Sequence, residues 1–128
     1  MAIQLNHTIV PARDPATSAT FLAEILGRRA PTQYGPFHCV ELDNGVTLDY
    51  MHSDPVHWEH YAFIVSEAEF DAIFGRIRER GLDYWADPFR QHAGQINHHD
   101  GGRGVYWQDP NGHSLEIITR PYGSAAEG

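Results

Sequence analysis

Three residues suggest chemistry most directly: His7 in QLNHTIV, His60 in HYAFIV and Glu116 in SLEII. Each alternates with apolar neighbours: Leu5 and Ile9 flank His7, Ala62 and Ile64 follow His60, and Ile118 follows Glu116. Residues two apart on a β-strand face the same side, so each polar group stands on an otherwise apolar sheet face. A carboxylate there is costly unless it is paired or bound to metal, because desolvating an ionised group is heavily penalised. Two neutral imidazoles and a carboxylate on one concave face form a divalent-metal site. With the opposite coordination positions open, that set is the facial triad of non-haem Fe(II) enzymes. The nine histidines, as many as the lysines and arginines together, also point to metal or proton chemistry.

The elements that must position these residues come in two copies. From His7, HTIVPARDPATSATFLAEILG reads as a strand followed by a helix, with Asp14 as N-cap, Pro15 in the first helical position and Gly27 as the stop. From His60, HYAFIVSEAEFDAIFGRIRERG repeats the plan. Ser66 and Glu69 form a capping box, Phe70, Ile73, Phe74 and Ile77 form an apolar face, and Gly81 ends the helix. Short strands follow each helix: near 31–34, 37–42 and 46–51 with the turn Asp43-Asn44-Gly45, then near 83–86, 103–108 and 113–119 with the turn Asp109-Pro110-Asn111-Gly112. The segment 87–101, rich in Pro, Gly and His, is a loop long enough to serve a site. The pattern is βαβββ twice, an α+β architecture. It predicts one domain over 1–122, with modules at about 3–52 and 57–120 and a flexible tail at 123–128.

Bulk properties narrow the function. A chain of 128 residues is long enough for one real core. Seventeen acids against nine bases, net charge −8, argue against nucleic acid and anionic membrane as partners. A single cysteine, Cys39, excludes an internal disulfide and fits a reducing cytoplasm. The start MAIQLNHTIV lacks a basic and apolar leader, and no run reaches membrane-spanning length. A cytoplasmic protein acting on a small molecule is the expectation.

The paired βαβββ units and the segment DPNGHSLE, 109–116, resemble the vicinal oxygen chelate superfamily over about residues 3 to 119. That superfamily contains glyoxalase I, type I extradiol dioxygenases, fosfomycin-modifying thiol transferases and bleomycin-sequestering proteins. The resemblance implies a cup-like, eight-stranded mixed sheet around a metal site. It also implies ligands from the strands holding His7, His60 and Glu116, and a homodimer in which a site is built within one chain or shared between two. The run Asn97-His98-His99, Val105-Tyr106, Asp109-Pro110, Gly112 and Glu116 is similar to the extradiol dioxygenase signature. By that resemblance Tyr106 hydrogen-bonds a substrate or metal-bound oxygen, and His99 lies in the outer shell.

Extradiol enzymes place a histidine acid/base on the strand before the second metal-binding histidine; here VTLDYMHS offers His52 at its end as the proton shuttle. By the alternative resemblance, to glyoxalase I, Asp49 on the same strand would instead fill the place of that enzyme's carboxylate, as a possible fourth ligand favouring Ni(II) or Zn(II) isomerase chemistry. The turn sets a geometric condition. A four-residue loop at 109–112 pairs Val105 with Glu116, whereas a five-residue loop pairs Tyr106 with it; the sequence leaves both open.

Three functions follow. The first is an Fe(II) extradiol-dioxygenase-like enzyme for a small catechol-type compound, with His7, His60 and Glu116 on the metal and His52, His99 and Tyr106 as catalytic residues. The second is a glyoxalase I-like isomerase or fosfomycin-type thiol transferase using Ni(II), Zn(II) or Mn(II), with Arg90 and Arg103 toward an anionic substrate. The third is a metal-free aromatic drug-binding protein stacking its ligand on Trp58, Trp85 and Trp107.

Overall fold

A computed structural model of the chain describes residues 2–124, so residues 125–128 of the predicted tail at 123–128 lie outside the described residues. The chain divides into two compact units, Met1–Trp58 and Glu59–Gly128. The first holds β1 (His7–Ala12), α1 (Pro15–Leu26), β2 (Thr32–Tyr34), β3 (Phe37–Glu41) and β4 (Thr47–His52). The second holds β5 (His60–Ile64), α2 (Glu67–Glu79), β6 (Tyr84–Trp85), β7 (Gly104–Gln108) and β8 (Ser114–Ile118). This is βαβββ twice, with strand ends within one or two residues of the sequence expectation. No helix among the described residues is long and apolar enough to cross a membrane.

The local signals act as their chemistry dictates. The Asp14 carboxylate accepts from the Thr17 N–H, which holds its pKa below the usual carboxylate value, and Gly27 closes α1 at φ 72°. Ser66 and Glu69 form the full reciprocal capping box of α2. The turn after β3 uses Gly45 at φ 81°, a conformation open to glycine without steric cost.

Each unit forms its own four-stranded mixed sheet, ordered β1-β4-β3-β2 and β5-β8-β7-β6, with a parallel pair (β1/β4, β5/β8) beside antiparallel hairpins. The eight strands are thus two sheets, with no strand pairing between them among the described residues. Val10, Ala12, Leu22, Ile25, Val40, Leu48 and Tyr50 form the core of the first unit. Phe70, Ile73, Ile77, Val105, Trp107, Leu115 and Ile117 form that of the second. Each large apolar side chain so buried contributes roughly 1.5–3 kcal/mol before entropy is counted. The alternate residues of the first strands, His7 and Ile9, then His60, Ala62 and Ile64, line the opposite, exposed faces.

Candidate metal centre

The centre is built in the second unit by the β7–β8 hairpin. Its connection is five residues long, because Gln108 pairs with Ser114. Asp109 organises those five residues: its Oδ1 accepts from the N–H groups of Asn111 at 2.8 Å and His113 at 2.9 Å. The Asp109 N–H donates in turn to the His113 carbonyl at 3.1 Å. The register that results sets Tyr106 opposite Glu116, and on the other side of β8 sets Ala62 opposite Glu116 and His60 opposite Ser114. His60, Tyr106 and Glu116 therefore share one sheet face. Of the two loop lengths the sequence allowed, the longer is realised.

Glu116 is 2% exposed, and both of its oxygens are engaged. Nε2 of His60 donates to Oε1 at 3.0 Å. The Tyr122 hydroxyl donates to Oε2 and stands 3.0 Å from the Tyr106 hydroxyl. The Tyr106 ring lies 6.0 Å from the His60 ring, and the His99 ring meets Tyr122 edge-on at 6.2 Å. Burial, then the hydrogen bond and charge of Glu116, push the Tyr106 phenol well above its ordinary pKa, so it stays protonated through the physiological range. The buried carboxylate thus has partners in the chain itself.

The pair also suits a divalent ion. Two donors at adjacent positions on an ion with bonds of about 2.1 Å stand about 3.0 Å apart. Nε2 of His60 and Oε1 of Glu116 have that separation. Imidazole with carboxylate is a donor set for iron, zinc, manganese or nickel.

The other expected residues are distributed as follows. His7 and Asp49 belong to the first unit, on one face of its sheet, with Asp49 two residues along β4 from the Thr47 that faces His7. Nδ1 of His7 donates to Asn6 Oδ1 at 2.7 Å, which leaves Nε2 outside that bond. Among the described residues no three His, Cys, Asp or Glu side chains form a ligand cluster. His52 pairs with Ala12, one residue out of phase with Met51 and Asp49, so it stands on the helix side of β4, where its Nδ1 donates to the Arg13 carbonyl at 2.9 Å. Alternation thus puts it on the face of β4 opposite to Asp49.

Arg103 is no rim cation. It binds Glu67 at 2.7 Å and Asp71 at 2.8 Å on α2 and lies 4.3 Å over the Phe70 ring. Trp107 is fully buried on the helix side of its sheet, paired with Tyr84, whereas Trp85 pairs with Tyr106 on the other face; the expected stacking set is divided.

Sequence reasoning assigned no role to Tyr122, His113 or Asn97. Tyr122 is the last residue of the predicted domain, beside Gly123 and Ser124, which read as loop. His113, 1% exposed, accepts the Glu59 N–H on Nδ1 at 3.0 Å and so fixes the start of β5; burial is invisible in a turn sequence. Asn97 closes the long loop onto β7 through paired backbone bonds with Gly104, and a Cβ on Gly104 would come within 2.8 Å of the Asn97 side chain.

Comparison with known proteins completes the description. Two solved structures, Oxidase ChaP-H1 and Oxidase ChaP-H2, are each 63% identical to this chain; the first superposes with TM-score 0.93 over 95% of this chain and 99% of its own, the second with 0.95 over 98% and 99%. Glutathione transferase FosA of Serratia marcescens is 27% identical over 91% of this chain and 81% of its own length. Fosfomycin resistance protein FosX of Mesorhizobium loti, at 21% identity and TM-score 0.68, shares the fold. With residues 4–117 matching its profile, the chain belongs to the Glyoxalase/Bleomycin resistance protein/Dioxygenase superfamily.

Proposed function

We propose that this protein is a divalent-metal-dependent oxygenase, using Fe(II), that acts on a small vicinally oxygenated compound of the catechol type. The observation that carries the reading is the convergence of His60 and Glu116 beside the buried phenol of Tyr106 on one sheet face. The 63% identity to proteins named oxidases supports the oxidative branch of the family. In this reading His60 and Glu116 hold the metal and His7 is the third ligand, supplied within the chain or by a second copy in a homodimer. When bound, the ion acts as a Lewis acid that lowers the pKa of a chelated hydroxyl and brings substrate and dioxygen together. Tyr106, kept neutral by its surroundings, orients the substrate through a hydrogen bond at its hydroxyl. Its closeness to Glu116 also keeps bulk water off the carboxylate. His99, against Tyr122 at the edge of the site, is the residue placed to move a proton at its ring nitrogens. His52 is not part of the proposal, since it lies on the other side of its sheet.

Oxygen uptake by anaerobically purified, Fe(II)-loaded protein challenged with a panel of catechols tests the reading. Uptake that is abolished in Glu116→Ala is expected. Protein that binds Fe(II) but consumes no oxygen with any catechol would overturn it.

A second reading, a thiol transferase or isomerase with Ni(II), Zn(II) or Mn(II) and Asp49 as a further ligand, is favoured by the similarity to glutathione transferase FosA along most of the chain. The engagement of Arg103 by Glu67 and Asp71 counts against it, because that guanidinium is not available to an anionic substrate. Glutathione consumption with an epoxide substrate, lost in Asp49→Ala, would decide for it.

A further inference from the structure

Tyr122 is held over the carboxylate of Glu116 by more than its own hydroxyl. The Gly123 N–H donates to Asp100 Oδ2 at 3.0 Å, and the Ser124 N–H closes a turn onto the Pro121 carbonyl at 3.1 Å. The His99 ring lies edge-on to the Tyr122 ring at 6.2 Å. The loop beneath is tied down as well: the Arg103 N–H donates to Thr119 Oγ1 at 2.8 Å, and a Cβ on Gly102 would approach Arg120 Cγ to 2.9 Å. Asp100 adopts φ 57°, a left-handed conformation rare outside glycine and asparagine-like residues, and so turns its carboxylate back toward Gly123.

The direction of the hydrogen bonds is fixed by the chemistry of the groups. An ionised carboxylate donates nothing, so the single Tyr122 hydrogen goes to Glu116 Oε2. The Tyr106 hydroxyl stands 3.0 Å from that of Tyr122, beside the same carboxylate. Tyr122 thus meets Oε2, while Oε1 faces Nε2 of His60. A glutamate carboxyl turns easily about its last torsion, so the donor on Oε2 adds a second restraint to the contact that Oε1 makes with His60.

We propose that Tyr122 is a positioning residue: its phenol, held in place from the 99–103 loop, fixes the rotation of the Glu116 carboxylate so that Oε1 stays turned toward His60 for a divalent cation. The proposal rests on the reading of His60 and Glu116 as metal ligands. It extends that reading to a residue outside both sheets, whose hydroxyl also stands 3.0 Å from that of Tyr106. Donors that orient a ligating carboxylate typically change metal affinity 10–100-fold.

The test uses Co(II) as the probe, titrated into the metal-free full chain, with its visible d–d bands as readout beside binding. Tyr122→Phe removes the donor and keeps the ring against His99. Tyr122 is 53% exposed, so the variant folds, which circular dichroism checks. We expect about a 10–100-fold weaker Co(II) affinity and an altered band pattern, effects that loss of packing alone would not produce. Unchanged or tighter binding in Tyr122→Phe, with binding lost in His60→Ala, would overturn the proposal and leave the metal reading intact; tighter binding would mean that Tyr122 competes with the cation. If His60→Ala and Glu116→Ala both keep wild-type Co(II) binding, the metal reading falls and the role of Tyr122 falls with it.

Discussion

In the unit Met1–Trp58, His7 lies across from Thr47, and Asp49 follows two residues along β4 with Cys39 beside it. In the unit Glu59–Gly128, His60 lies across from Ser114, and Glu116 follows two residues along β8 with Tyr106 beside it. The backbone plan is the same and the surroundings are not. Glu116 is fully buried and receives both an imidazole and a phenol. Asp49 keeps a buried Oδ1 without a hydrogen-bond partner among the described residues, and its neighbour is a thiol, a poor donor. The comparison teaches that the repeat supplies positions, whereas the chemistry depends on what the third strand and the loops bring to them. One longer residue on the carboxylate and a phenol in place of a thiol turn a matching position into a site with a fixed pair of donors.

The comparison can be broken first at the cores. Trp107 and Val40 hold equivalent places, across from Leu115 and Leu48. Trp107→Ala is expected to cost about 3–5 kcal/mol in urea unfolding, since it empties the largest buried side chain of its unit. Val40→Ala, at the matching place, is expected to cost about 2 kcal/mol. Equal costs would mean that the two cores are packed alike.

At the sites, Glu116→Ala is expected to weaken Fe(II) or Co(II) binding by more than about a hundredfold, beyond the range of outer residues, while Asp49→Ala changes it by less than about threefold. A metal titration read by elemental analysis decides. Comparable losses would make Asp49 a ligand and favour the second functional reading.

The thiol sharpens the contrast. Burial, then the hydrogen bond to Asp49 and its charge, push the Cys39 thiol from 9.0 up to about 11. At pH 8 its thiolate fraction, and so its alkylation by iodoacetamide, should be about a hundredfold below that of an unperturbed thiol. Asp49→Asn should recover part of that rate by removing the carboxylate that favours the protonated thiol. Alkylation of the wild type at an ordinary rate would place Asp49 away from Cys39.

Tyr106 provides the alkaline counterpart. Its folded pKa is raised above the ordinary 10.0, so its stabilising contribution is fully present below about pH 10 and is lost as the pH rises through the raised value. Tyr106→Phe should therefore lose less stability between pH 9 and 11 than the wild type in thermal melts. The smallest effect is at the helix start: Ser66→Ala removes one half of the capping box and should cost about 1 kcal/mol. A cost below a few tenths would show that packing of Phe70 and Ile77, not the cap, decides where α2 begins.

Much of the fold was legible because its signals are local. Asp14, Ser66 and Glu69 cap helices through bonds that span three residues, and the apolar spacing of Phe70, Ile73 and Ile77 needs no partner to be read. The equivalence of His7 and His60 was legible for the same reason, as each opens a strand before a capped helix. By itself the sequence determined the two βαβββ modules, the helix limits and the polar residues that stand on the sheet faces.

Tertiary structure decided what depends on register and on distant pairing. Whether Tyr106 or Val105 faces Glu116 turned on one residue of loop length, set by Asp109 binding the His113 N–H. His52 is one residue from Met51, and alternation alone sends it to the far side of β4. Arg103, an apparent substrate cation, is held by carboxylates 32 and 36 residues away. Tyr122 reaches the site because loop 99–103 holds its backbone, a contact between segments about twenty residues apart that no periodicity announces. Local patterns fix elements, because capping and alternation act over a few residues; sites require the sum of many weak long-range contacts, and those exist only once strands and loops have come together.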